Sequence, residues 1–224
     1  MLRSLKNALA ALALSAVPAS ACGVELVLAV DVSRSVIEHE YDLQVEGLAN
    51  AFRSPDVVDA VKWVPGGVMA TVTQWSGPED QEQSIGWRHL DSPVAIEAFA
   101  AEIDGMTRAF FSAFTAVGDA LTHADGLSAT NPRPCKRRII DISGDGASNK
   151  GREPRPVAEA LAASGVTINA VVIKGARPDP EQYFRKHVVR GHGAFIEVAA
   201  SFDDYARAIE RKLLRELSPA FSAR

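Results

Sequence analysis

The stretch VELVLAVDVSRS, Val24–Ser35, decides how the chain is read. Its first seven residues, Val24–Val30, form a nearly continuous apolar run, the pattern of a strand buried on both faces of a parallel sheet. The run ends in Asp31-Val32-Ser33-Arg34-Ser35. Alternate residues of an extended segment point the same way, so one carboxylate and two hydroxyls can converge above the strand's carboxyl end. All three are hard oxygen donors, suited to Mg²⁺, Mn²⁺ or Ca²⁺. The same residue types are also the commonest helix N-caps, and a helical pattern begins just after them.

Working outward, strands alternate with helices along the chain. Glu38–Phe52 sets Tyr41, Val45, Leu48, Ala49 and Phe52 on one helical stripe. Val68–Trp75 and Glu82–Leu90 read as strands, joined by a polar turn at Glu79–Gln83. Ser92-Pro93 opens a helix through Ile103, and Ala116–Leu127 is helical. Arg138–Ser143 and Val166–Ile173 are two more buried strands, with a helix over Pro156–Ser164 between them. A short helix at Gln182–Val189, a closing strand at Ala194–Val198 and an amphipathic helix at Asp203–Leu217 complete the pattern. The reading is a doubly wound α/β domain. Its central sheet is mostly parallel, with helices on both faces and one antiparallel edge strand. Ligands of such sheets sit beyond the carboxyl ends of the strands, where the topology reverses.

Two further segments reach that edge. Thr115 lies in a loop, Phe114-Thr115-Ala116-Val117-Gly118, that leads into a helix. The strand ending at Ser143 runs into Gly144-Asp145-Gly146, whose glycines would let the backbone turn sharply and which brings a second carboxylate to the same edge of the sheet as Asp31.

The order D-x-S-x-S, loop threonine, then strand-Ser-x-Asp-Gly resembles the metal-ion-dependent adhesion site of von Willebrand factor A domains. The resemblance covers about residues 24–217, and the secreted form with ISGDG is similar to a bacterial subgroup whose function is not assigned. It implies that Ser33 and Ser35 coordinate one divalent ion through their hydroxyls. Thr115 would do so directly in an open state and through water otherwise, and Asp31 and Asp145 would balance the charge. The ion would be Mg²⁺, or Mn²⁺ or Ca²⁺ in its place, with a sixth position for an acidic side chain of a protein partner. Phe114 stands where the family often has glycine, and Ser112-Ala113-Phe114 replaces the usual glycine-rich run. In the family's strand order, the first strand and the strand ending at Ser143 are parallel neighbours, about 4.8 Å apart. Cys22 stands nine residues before Asp31 and Cys135 ten before Asp145. The order therefore implies that the two cysteines share the lower edge and form a disulfide. A lipidated Cys22 beside a free Cys135 is the alternative, although no leucine stands three positions ahead of Cys22.

Composition bounds the rest. The chain has 224 residues, 47% hydrophobic and 23% charged, with a net charge of −4. That supports one globular domain and no bulk attraction to nucleic acid or anionic lipid. Arg3 and Lys6, the apolar run Ala8–Val17 and Ala19-Ser20-Ala21 read as a secretory signal over 1–21, with a mature domain over 22–224. A retained N-terminal anchor is the alternative to cleavage. No later segment is apolar enough to span a membrane, so the expected location is the periplasm or the exterior.

Lys150, Arg152 and Arg155 follow Asp145 in a Gly/Pro-containing loop. They could steer an acidic partner or simply be solvated. The cluster Arg133–Arg138 falls at the far edge and reads as a solvated face. His39, His89, His123, His187 and His192 read as surface positions, because no matching set of zinc ligands accompanies them. Two function classes follow. The first is a metal-dependent protein-binding module with no catalytic residues. The second is a metal-dependent hydrolase using the same oxygens, which would need a base to activate water. No histidine falls in or next to the three segments, and there is no G-x-S-x-G elbow or phosphate loop.

Overall fold

The computed structural model describes residues 21–218. The signal sequence expected over 1–21 lies almost wholly outside them. The elements run β1 Cys22–Asp31, α1 Glu38–Arg53, α2 Pro55–Lys62, β2 Val68–Trp75, β3 Gln81–Leu90, α3 Pro93–Asp104 and α4 Val117–Leu127. They continue through β4 Cys135–Gly144, α5 Pro154–Ala163, β5 Val166–Ile173, α6 Pro180–His187, β6 Ile196–Ala199 and α7 Tyr205–Leu217. One six-stranded sheet has the order β3-β2-β1-β4-β5-β6. All neighbours are parallel except β2 and β3, so the antiparallel edge strand is β3.

All ten residues of β1 are buried, as a central parallel strand requires. Its side chains divide between two cores. Val24, Leu26, Leu28 and Val30 join the core under α1, α2, α3 and α7. Val27 and Ala29 join the core under α4, α5 and α6. The chain leaves β1 toward β2 on one side and later returns to β4 on the other. The sheet order therefore reverses between β1 and β4, and a crevice opens above their carboxyl ends.

Helix α2 was not expected from the sequence. Ser54-Pro55 ends α1 and starts a second helix with proline in its first turn, and eight residues are too few to show a clear stripe. Strand β4 begins at Cys135, earlier than Arg138, because Cys22 already pairs with Cys135 in the ladder. The two cysteines are bonded, with Cα atoms 4.4 Å apart, and no free cysteine is present among the described residues. The Cys22 sulfur is therefore not available to a lipid.

The five histidines do not all lie at the surface. His39 and His192 are exposed, but His89, His123 and His187 are partly buried. Burial against the second core holds the His123 imidazole below its ordinary pKa, and its Nε2 has no partner. Arg138 of the basic cluster is bound to Asp125 and Glu25, not free in solvent. No helix among the described residues is long and apolar enough to cross a membrane.

Candidate metal centre

The D-x-S-x-S segment is not used as a helix cap. The residue before α1 is Ile37, whose amide is accepted by the Glu40 side chain at 2.9 Å. Asp31, Ser33 and Ser35 are left to one another. The Ser33 amide donates to Asp31 Oδ1 at 2.8 Å, and the Ser33 and Ser35 hydroxyls lie 3.2 Å apart. Ser35 Oγ donates to Asp145 Oδ1 at 2.9 Å, and Thr115 Oγ1 reaches Ser33 Oγ at 3.4 Å. Five oxygen-bearing side chains from three loops thus form one continuous cluster above β1 and β4.

The cluster is graded in exposure. Asp31 and Ser33 are fully buried, Thr115 nearly so, Asp145 is partly buried and Ser35 faces solvent. Asp31 Oδ2 is buried and has no hydrogen-bond partner. An unpaired buried carboxylate oxygen is costly, and the group responds by holding its proton. Burial first, then the charge of Asp145, push the Asp31 carboxyl up to about 7, while the Ser33 bonds and Arg108 pull the other way. Burial also raises Asp145, against the hydrogen bond from Ser35. A divalent cation would supply what Oδ2 lacks and reverse the cost of two adjacent carboxylates. Two carboxylates and three hydroxyls suit a hard ion with oxygen ligands, so the donor set fits the expected metal.

Gly144 is required here for space rather than for its backbone angle. The chain bends at Asp145 and Gly146, as the glycines led one to expect, but with no positive φ at Gly144 or Gly146. A β-carbon on Gly144 would stand 2.9 Å from the Phe184 ring and 3.4 Å from Asp31 Oδ2. The left-handed backbone of this loop comes later, at Gly151, with φ of +77°.

Three supports were missed in the sequence. Gln44 is buried beneath the site; its Nε2 donates to the Asp31 carbonyl at 3.2 Å, and its Oε1 lies 3.5 Å from Ser143 Oγ. Arg108 donates through Nη2 to the carbonyls of Val32 at 2.8 Å and Ser33 at 2.9 Å, and through Nε to Phe110 at 2.9 Å. Asn149 ties the Asp145 loop to Thr115, whose amide donates to Asn149 Oδ1 and whose carbonyl accepts the Asn149 amide, both at 2.9 Å. None of the three lies in a motif. Only their position in the folded chain reveals them.

The three basic residues after Asp145 have different surroundings. Lys150 Nζ lies 5.4 Å from the Phe114 ring centre. Arg152 is held by Asp119, through its amide at 2.8 Å and its Nε at 3.1 Å. Arg155 pairs with Glu159 one turn along α5, at 2.7 Å. His39 shares a cavity of about 450 Å³ with Asp145, Glu40 and Lys174. It has no hydrogen bond to any of the five oxygens among the described residues.

No curated protein matches this chain. Solved structures do. Proximal thread matrix protein 1 (PTMP1) from the mussel byssus superposes with a TM-score of 0.68 at 18% identity, over 87% of this chain and 48% of that one. Another PTMP1 structure, at 0.65 and 19% over 88% and 46%, has a zinc-occupied metal-ion-dependent adhesion site (MIDAS) motif. The von Willebrand factor type A protein from Catenulispora acidiphila matches at 0.58 and 16%, over 87% and 42%. The chain spans about half the length of PTMP1. These likenesses establish the fold, which is that of a von Willebrand factor A domain. A family profile matches residues 21–221, so the chain belongs to the family described as protein of unknown function (DUF1194).

Proposed function

We propose that this chain is an exported protein-binding module that holds one divalent cation through Asp31, Ser33, Ser35, Thr115 and Asp145, and through it an acidic group of a protein partner. The observation that carries the reading is the buried, unpartnered Oδ2 of Asp31, whose carboxyl is pushed up by burial and by the charge of a second carboxylate, Asp145. Solvent-facing Ser35 and partly buried Asp145 leave the cluster open on one side. The metal would act as a fixed positive charge that a partner's carboxylate completes. PTMP1 with zinc at its MIDAS motif is a precedent for a cation in this fold, and this oxygen set suits Mg²⁺, Mn²⁺ or Ca²⁺. The disulfide accords with an oxidising compartment, hence with export to the periplasm or beyond.

Lys150 is the strongest of the three candidate steering residues, because Arg152 and Arg155 already have carboxylate partners. The binding reading is preferred to hydrolysis because no histidine hydrogen-bonds to the oxygen cluster among the described residues. The test is a pull-down from periplasmic extract on the immobilised domain, in magnesium and in excess EDTA. A partner captured only with magnesium, and lost with Asp31→Ala, is the expected result. A partner retained fully in EDTA would overturn the reading.

A further inference from the structure

Five large apolar side chains stand exposed among the described residues, and three of them lie in the two loops that carry Ser35 and Thr115. Phe111 is 72% exposed and Phe114 45%, both in the segment between α3 and α4 that carries Thr115. Ile37, 59% exposed, lies two residues beyond Ser35.

The segment bearing the two rings is firmly tied. The Ser112 carbonyl accepts from the Arg34 amide at 2.9 Å and from Ser76 Oγ at 3.2 Å. The Phe114 carbonyl accepts from Ser76 Oγ at 2.8 Å, and the Ala116 amide donates to the Ser76 carbonyl at 2.7 Å. Each ring also has a cation over it. The Arg108 guanidinium lies 4.7 Å from the Phe111 centroid, and Lys150 lies over Phe114. Apolar rings held in fixed positions beside a polar centre form a preorganised contact surface.

Charge defines what such a surface accepts. Arg34 and Lys150 are exposed and make no ion pair among the described residues. The segment that carries the rings thus has two cations without carboxylate partners beside it, Lys150 over Phe114 and Arg34, whose amide bonds Ser112.

We propose that Phe111 and Phe114 form an apolar platform for an extended segment of a protein partner, taking a large apolar side chain within two positions of the acidic residue that meets the cation. This rests on the metal-dependent reading above and adds the chemistry of the partner to it. Arg108 is a positioning residue for the platform, since the same guanidinium braces Phe111 and holds the Ser33 carbonyl.

The experiment is selection of a random displayed 12-residue peptide library on the folded domain in magnesium, with elution by EDTA. The same selection is run on the F111S/F114S double variant and on Asp31→Ala, with circular dichroism to show that each folds. Wild type should enrich Asp or Glu with Phe, Leu, Ile, Trp or Met within two positions. The double variant should keep magnesium binding and the acidic preference, lose the apolar one, and bind the best wild-type peptide about ten- to a hundredfold more weakly. Equal enrichment of apolar neighbours on the double variant would overturn this inference and leave the metal reading standing. Equal enrichment on Asp31→Ala would overturn the metal reading itself. Binding to phosphatidylglycerol vesicles that survives EDTA and disappears in the double variant would instead make the platform a membrane contact.

Discussion

The Ser35 hydroxyl donates to the Asp145 carboxylate across 2.9 Å, joining residues 110 positions apart at the seam where the strand order reverses. One comes from the loop after β1 and the other from the end of β4. The bond exists because those two strands are neighbours in the sheet. It brings the second carboxylate toward the first, whose carboxyl that charge helps to push up.

Asp31→Asn should abolish magnesium binding while costing the metal-free fold little or nothing. It keeps an acceptor for the Ser33 amide and removes the buried charge. Titration calorimetry should show no magnesium heat, and melting in EDTA should give a midpoint no lower than wild type. A midpoint several degrees lower would mean that Asp31 serves the fold.

Magnesium affinity should rise with pH up to about neutrality. The Asp31 carboxyl is raised from 3.8 to about 7 in the fold. Between those values the folded chain holds a proton that the unfolded chain has released. Metal-free stability should therefore fall as pH rises through that window. The cation needs the deprotonated form, so its affinity should drop by up to about tenfold per unit below pH 7. Calorimetry at pH 5, 6, 7 and 8 checks this; a flat profile would contradict it.

Replacing Cys22 and Cys135 together by serine should lower stability without changing metal affinity. The bond spans 113 residues, for which the chain-entropy description gives about 4–5 kcal/mol as a ceiling. A measured loss of about 2–4 kcal/mol in urea unfolding is expected. The cysteines lie at the opposite end of β1 and β4 from Asp31 and Asp145, so the magnesium constant should hold.

Lys212→Met should be the most destabilising single change on α7. Lys212 is fully buried, with its Nζ 2.5 Å from both Asp141 and Glu216, and Asn169 donates to Glu216 at 2.8 Å. Removing the ammonium leaves two buried carboxylates facing each other, at a cost of about 3–5 kcal/mol. Urea denaturation should show that loss. The triple change Lys212→Met, Asp141→Leu and Glu216→Leu should recover much of it, because no charge is then left unpaired.

The helix-strand alternation, the parallel sheet and its antiparallel edge were legible in the sequence, since they follow from hydrophobic periods of two and 3.6 and from local turn chemistry. So was the placing of Asp31, Ser33, Ser35 and Asp145 at one edge, because a strand's carboxyl end projects its last residues above the sheet wherever the strand is placed; Thr115, in the loop before α4, was read as a donor from the family's motif order. The counts from Cys22 to Asp31 and from Cys135 to Asp145 carried the disulfide, given the family's strand order. Tertiary structure alone decided the rest. Lys212 sits among the apolar residues of α7, and nothing local announces that Asp141, some 70 residues earlier, receives its ammonium together with Glu216. Arg108 reaches the Ser33 carbonyl 75 residues away, Gln44 supports Asp31 from inside α1, and Asp119 takes Arg152 out of the steering set. Such pairings depend on which elements lie side by side and how far each side chain reaches. Local sequence encodes the period and the dihedral angles of an element, while the partner of a buried charge is set only when the layers close.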